Sequence, residues 1–263
     1  MENDLNLAID IAKSAGNILL KYLGNLDSLD YKGSFNLVTN ADKESEKYIV
    51  SNILKHRPDD NILAEEGNNK QSQKNNRLWM IDPIDGTTNY AHSYPFFAIS
   101  IGLSIDDELT CAVVYNPVTR ELFTAQKGCG AHLNGQKIKV STISKLENSL
   151  LATGFSPDVK QNKTDNKVNF NRLTGLCHGV RRDGAASLDL AYVACGRLDG
   201  YWEYHLKPWD IAAGALLIIE AGGKVSDIEG HKFDFKNPDI LVSNGLIHSQ
   251  VLDELNQVKN LIV

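Results

Sequence analysis

The chain has 263 residues, 42% of them hydrophobic and 23% charged, with a formal net charge of −6. That length allows one large domain or two closely joined ones, and the composition is ordinary for a soluble globular protein. The acidic balance excludes the basic footprint of a nucleic-acid binder; an acidic protein that handled anionic substrates would need cations from elsewhere, and metal ions are one source.

The N-terminus, MENDLNLAID, is acidic and lacks the apolar core of a secretory signal. No apolar run is long enough to span a bilayer, so the expected location is cytoplasmic, with no membrane partner. Residues 4–23 read as an amphipathic helix, with Leu5, Ile9, Ala12, Gly16, Leu19 and Leu23 on one face and Gly24 as its stop. A polar stretch at 25–36 follows, expected to be mobile around Gly33 and Ser34. Thr39 and Asp42 fit the capping box that opens a second helix, which Pro58 closes. NILAEEG reads as a short strand ending in Glu65 and Glu66, and a polar loop leads from it to LWMIDPIDGTTNYAH.

Beyond Tyr90 three strand-like runs, FFAISIGLSID, ELTCAVVYNPVT and RELFTAQKG, predict an antiparallel meander. Asn134-Gly135 is a strong hairpin signal after it. A composition shift near residue 145 divides the chain into candidate subdomains at 1–145 and 146–263. In the second, SLLATGF predicts a strand and residues 157–168 a polar segment. DGAASLDLAYVACG predicts a buried helix with Asp183 as N-cap and Gly196 as stop. RLDGYWEY follows as a strand, then KPWDIAAGALLIIEAGG as a helix apolar nearly all round, then the strand DILVSN and a C-terminal helix. Cys111, Cys129, Cys177 and Cys195 form no C-x-x-C pair and read as reduced thiols.

The stretch 78–88 carries the chemistry. An apolar strand, Leu78 to Ile81, runs into Asp82, and Pro83, which cannot donate to a sheet, is expected to turn the chain out there. Asp85-Gly86-Thr87-Thr88 reads as a turn opening a helix or loop, whose N–H groups can hold a phosphate. Two carboxylates beside an anion repel it, unless divalent cations lie between them; magnesium commonly bridges carboxylates to phosphates. Taken singly, Asp42 reads as a capping-box acid, Asp85 as a turn residue, Asp210 as a first-turn acid and Glu65 with Glu66 as a solvated pair. Taken together they are a candidate ligand set, since Asp210 opens an otherwise apolar helix and a buried acid needs a partner.

WMIDPIDGTTNYAH resembles the W-x-x-D-P-x-D-G-T-x-N signature of the inositol monophosphatase family, magnesium-dependent and lithium-sensitive phosphatases. KPWDIAAGALLIIEAGG is similar to the family's second signature; AEEG and NLVTNAD match in order and spacing, and RRDGAASLDLAYVACGRLDGYWE is similar to bacterial inositol-1-monophosphatases. The resemblance covers nearly the whole chain. It implies an α/β (α+β) fold, the layered α-β-α-β-α sandwich of the inositol monophosphatase / fructose-1,6-bisphosphatase type, usually as a homodimer.

It also implies roles. Glu65, Asp82 and the Ile84 carbonyl would bind one Mg2+, and Asp82, Asp85 and Asp210 a second. Glu65 would reach a third ion through water, and Mn2+ could substitute. Gly86 and Thr87 would hold phosphate; Thr87, hydrogen-bonded to Asp42, would with Glu65 orient and deprotonate the attacking water. Asp85, Asp210, Glu203, Ala186 and Asp183 would lie around the substrate, and Lys32 in a loop near the metals. Most metal ligands would fall in 1–145, with Asp210 and the substrate contacts in 146–263. The implied substrate is a small phosphorylated polyol or sugar, inositol 1-phosphate first. Fructose 1,6-bisphosphate, histidinol phosphate, NADP and adenosine bisphosphate are the alternatives.

The chain departs from the pattern at Ala64, where glycine is common, and at Ala185, where a hydroxyl residue sometimes stands; the second bears on substrate preference. A phosphatase with an aspartyl nucleophile is disfavoured because the spacing here is D-x-x-D-G-T. A different class, a protein binding RNA or the transcription machinery, has only Arg181-Arg182 as a basic pair, for which a surface salt bridge is the expected role.

Overall fold

The computed structural model describes residues 4–24, 29–31, 37–72, 74–155, 166–237 and 239–262; Lys32 and most of the polar segment at 157–168 lie outside them. The helices are α1 (Asp4–Tyr22), α2 (Asn40–His56), α3 (Thr87–Ala91), α4 (Asn166–Thr174), α5 (Ala186–Ala194), α6 (Pro208–Glu220) and α7 (His248–Ile262). The strands are β1 (Leu29–Tyr31), β2 (Leu37–Thr39), β3 (Asn61–Ala64), β4 (Arg77–Asp85), β5 (Ala98–Ile105), β6 (Glu108–Asn116) and β7 (Glu121–Gln126). They continue as β8 (Gly130–Leu133), β9 (Gln136–Lys137), β10 (Leu150–Thr153), β11 (Gly179–Arg181), β12 (Gly200–Glu203), β13 (Lys224–Ser226) and β14 (Ile240–Ser243).

A seven-stranded sheet runs β3-β4-β5-β6-β7-β8-β9 in strict chain order, parallel only between β3 and β4. The meander closes with Asn134 and Gly135 both at positive φ, 49° and 79°, as a two-residue type I′ turn requires. A five-stranded sheet has the order β11-β10-β12-β14-β13, with β10 parallel to both neighbours and β14 antiparallel to both of its own.

The layers follow from where the apolar faces point. One core lies between α1, α2 and the first sheet, around Leu19, Ile49, Trp79 and Ile101. A second fills the space between the two sheets and is built on α5 and α6, with Leu190, Ile211 and Leu217 at its centre. A third, with Leu173, Trp202 and Val251, lies between the five-stranded sheet and the outer helices α4 and α7. Helix, sheet, helix, sheet, helix is the α-β-α-β-α sandwich, and α6, apolar all round, sits in its middle layer. Its contact with β5 is close: a Cβ on Gly102 would stand 3.1 Å from the Ala212 Cβ, and Ser100 Oγ donates to the Trp209 carbonyl at 3.0 Å.

Four details differ from the expectations above. The buried face of α1 is Leu7, Ala8, Ile11, Ala12, Ala15, Gly16 and Leu19, so Ala12, Gly16 and Leu19 lie on it as expected while Leu5, Ile9 and Leu23 lie at its margin. Strand β4 does not leave the sheet at Pro83. It pairs again at Asp85↔Ala98 after a register shift, and the freed Ile84 N–H donates to the Asp82 carboxylate at 2.9 Å. The proline therefore sits in a bulge, where its missing donor is harmless. Helix α5 starts at Ala186 with Ala185 as N-cap, not Asp183. Strands β1, β2, β11 and β13 and helix α4 carry too few periodic residues to announce themselves; β1 lies within the stretch expected to be mobile and pairs with β2 just beyond it.

Candidate active site

Glu65, Asp82, Ile84, Asp85, Gly86, Thr87, Ala186, Glu203 and Asp210 all line one cavity of 410 Å³. The sheet delivers Asp82, Ile84 and Asp85 on the bulged end of β4. Gly86 then takes φ 92°, the left-handed conformation that lets α3 begin at Thr87. No side chain fits at Gly86: a Cβ would lie 3.0 Å from the Phe96 carbonyl and 3.1 Å from the Ala185 Cβ. Asn89 holds this junction to the opposite wall, its Nδ2 donating to the carbonyls of Phe96 and Asp183, both at 2.7 Å.

Asp42 is not on the cavity wall. It is fully buried behind Thr87, one oxygen accepting from Thr39 N and Oγ1 at 2.7 and 2.6 Å, the capping box read from the sequence. Its other oxygen faces Thr87 Oγ1 at 3.4 Å, while the same hydroxyl donates to the Ile84 carbonyl at 3.0 Å. Glu65 lies on the turn after β3, and that turn is fixed from beneath by Glu46 of α2. The fully buried Glu46 carboxylate accepts from Glu66 N at 2.6 Å, Asn68 N at 2.9 Å and Asn68 Nδ2 at 2.8 Å.

Asp85 has a duty that its turn motif does not reveal. Its carboxylate accepts from Ala186 N at 3.2 Å, Ser187 N at 2.6 Å and Ser187 Oγ at 2.5 Å. It caps the open N-terminus of α5 from a hundred residues away, where Ala185 has no side chain to do so. Asp210 caps its own helix by accepting from Lys207 N at 2.6 Å.

The electrostatics are those of a crowded acid cluster. Burial, then the charges of Glu65, Asp85 and Asp210, raise the Asp82 carboxyl well above the usual carboxylate range. Burial and the Asp85 charge do the same to Asp210. Burial raises Asp85 to about 6, against the pull of the Ser187 donors. Burial raises Glu203 to about 7, although the Tyr201 hydroxyl donates to it. No Lys or Arg forms an ion pair with Asp82, Asp85 or Asp210 among the described residues. Nor are three of these acids gathered there into a finished cage around one point. The candidate ligands among the lining residues, the Glu65, Asp82, Asp85 and Asp210 carboxylates and the Ile84 carbonyl, nonetheless offer only hard oxygens, a set that suits a hard divalent cation.

Asp183 contributes its carbonyl to the Asn89 contact and does not line the cavity; Lys32 lies outside the described residues. Arg182 corrects the surface salt-bridge expectation. It lines the cavity with its guanidinium 6.0 Å from the Phe155 ring centre, and neither it nor Arg181 makes an ion pair among the described residues. Sequence reasoning missed Arg182, Asn89, Glu46, Ser187 and Asp189 as parts of this site. A lone acid in an apolar helix, three residues beyond Ala186, was the available signal for Asp189.

Comparison with known proteins bears on the family and the fold. The model of the inositol monophosphatase family matches residues 1–260. An inositol-1-monophosphatase of Synechocystis sp. is 45% identical over 252 residues, 95% of this chain and 88% of the relative. The Nus factor SuhB of Pseudomonas aeruginosa is 46% identical over 240 residues, 89% of each chain. A solved inositol monophosphatase from Anabaena superposes with a TM-score of 0.88 at 45% identity, covering 96% of this chain and 95% of the other.

Proposed function

The chain belongs to the inositol monophosphatase family, and from that premise we propose that it hydrolyses the phosphate monoester of a small polyol, inositol 1-phosphate first, with Mg2+ held by Glu65, Asp82, the Ile84 carbonyl, Asp85 and Asp210. The observation that carries this reading is the meeting of these oxygen donors with the Gly86–Thr87 helix start on one cavity wall. When bound, such ions supply the charge stabilisation that phosphate-monoester hydrolysis, among the slowest uncatalysed reactions, demands.

The chain's own residues divide the remaining work. The N–H groups at Gly86 and Thr87 bind the phosphoryl oxygens at the start of α3. Asp42, 3.4 Å away, is the carboxylate to which the Thr87 hydroxyl passes its proton once it turns from the Ile84 carbonyl; Thr87 and Glu65 hold the attacking water and accept its proton. Glu203, at the far wall, faces the hydroxyls of the alcohol.

The test is phosphate release from inositol 1-phosphate with Mg2+ and with chelator, beside a panel of the alternative phosphates. Magnesium-dependent release with inositol 1-phosphate preferred is the expected result. Release that persists in chelator, or a preference for a nucleotide, would overturn it. The likeness to proteins named Nus factor SuhB favours a second reading, a transcription partner that binds elsewhere on the surface. Capture of RNA polymerase components by an Asp82→Asn variant without turnover would support that reading independently of catalysis.

A further inference from the structure

Asp189 sits on α5 one turn beyond Ala186, lines the cavity beside Glu203, and is 1% exposed. Its Oδ1 is buried and has no hydrogen-bond partner among the described residues. Buried polar atoms are almost always partnered, and leaving one orphaned is costly, so an exception needs a cause. The neighbours do not supply one. The free N–H groups at the start of α5 are already taken by Asp85. The nearby Tyr201 hydroxyl has a single proton, and it goes to Glu203. Arg182, close enough to favour the ionised form, makes no ion pair with it.

We propose that Asp189 is a specificity-determining residue, its Oδ1 hydrogen-bonding a hydroxyl of the substrate's alcohol moiety next to the one that Glu203 meets. This rests on the polyol phosphatase reading above. An apolar alcohol or a phenol leaves the Asp189 oxygen bare in the closed complex; a polyol satisfies it, and a site left with an unpaired buried group discriminates against ligands that cannot pair it. Burial, with Asp183, Asp85 and Glu203 as like-charged neighbours, holds the Asp189 carboxyl well above the usual range. A neutral acid both donates and accepts, which suits a hydroxyl, and an amide at the same position does the same.

The experiment compares kcat/KM for inositol 1-phosphate with kcat/KM for p-nitrophenyl phosphate, which has no alcohol hydroxyls. Asp189→Ala is expected to lower the ratio of the two about tenfold, the worth of one hydrogen bond, through KM for the polyol ester. Asp189→Asn is expected to keep the ratio within about threefold by the same arithmetic. Asp189→Cys, close in volume but a poor hydrogen-bonding group, repeats the loss if the alanine variant does not fold. A ratio unchanged in the folded Ala or Cys variant, or lost equally in the Asn variant, would overturn the assignment while leaving the phosphatase reading intact. A wild-type protein that hydrolyses p-nitrophenyl phosphate but not inositol 1-phosphate would sink both.

Discussion

Glu203 is the clearest case of a residue whose protonation is set by the fold. Burial raises its carboxyl from 4.5 to about 7, opposed by the Tyr201 hydroxyl and reinforced by the Asp85 charge. Between those two values the folded protein holds a proton that the unfolded chain has released. Neutral Glu203 therefore contributes stability that is fully present below about 4.5 and lost as pH rises through about 7. The metal-free protein is expected to lose stability over that window, by up to about 3–4 kcal/mol from this group. Glu203→Gln, which never ionises, is expected to flatten the wild-type slope there. Urea titrations in chelator across that pH range give the answer; parallel wild-type and variant curves would show that the carboxyl is not held neutral. Of these relationships only the presence of an acid beside YW was visible in the chain, because the Gly154 backbone that leaves room for Glu203 lies just past the end of β10, about fifty residues away.

Helix α2 acts as a ruler between Thr87 and Glu65, the two positions proposed as catalytic. Asp42 and Glu46 lie one turn apart on its buried face. The first faces the Thr87 hydroxyl and the second pins the turn that carries Glu65, so the spacing of the two groups proposed to hold the water is inherited from one helix. Glu46→Gln replaces one acceptor oxygen with an NH2 that faces backbone N–H groups, a loss of roughly 1–3 kcal/mol at the turn. The expected result is a fall in kcat of at least about tenfold with KM for the phosphate ester little changed, because Glu46 touches neither phosphate nor alcohol. A variant with reduced thermal stability but normal kcat would mean that the turn finds its place without this clamp. The contrast with Asp42 shows what a sequence discloses. Thr39 and Asp42 form a capping box three residues apart, and local spacing alone identifies it. Glu46 meets Glu66 and Asn68 across twenty residues, and Asp85 meets α5 across a hundred, contacts with no local period. Strand β4 misled for a related reason: Pro83 forbids a ladder bond, but a bulge removes the need for one.

Across the whole molecule, each inner layer contributes one piece of the cavity. The seven-stranded sheet brings Asp82 and Asp85, the middle helices bring Asp189 and Asp210, and the five-stranded sheet brings Glu203. The hydrophobic patterning announced the elements and most of their order; which ends would meet was carried by the two signature stretches, whose acids made sense only as a set. Packing brings these carboxylates together, and among the described residues no Lys or Arg forms an ion pair with Asp82, Asp85 or Asp210, so the apo fold bears the mutual repulsion of those three. On the proposed reading, a divalent ion held by Asp82, Asp85 and Asp210 would relieve that repulsion, tie two layers together and bind the folded state alone. At a hundredfold excess over its dissociation constant such an ion stabilises by about 2.7 kcal/mol, which for a chain of this size is a rise in Tm of about 5–10 °C. Calorimetry in chelator and in saturating Mg2+ at matched ionic strength measures it, with Asp82→Asn expected to lose most of the rise. The same rise in wild type and in that variant would place the ion elsewhere, and no rise in wild type would mean that the layers are held by apolar packing alone and that the acids serve something other than a metal.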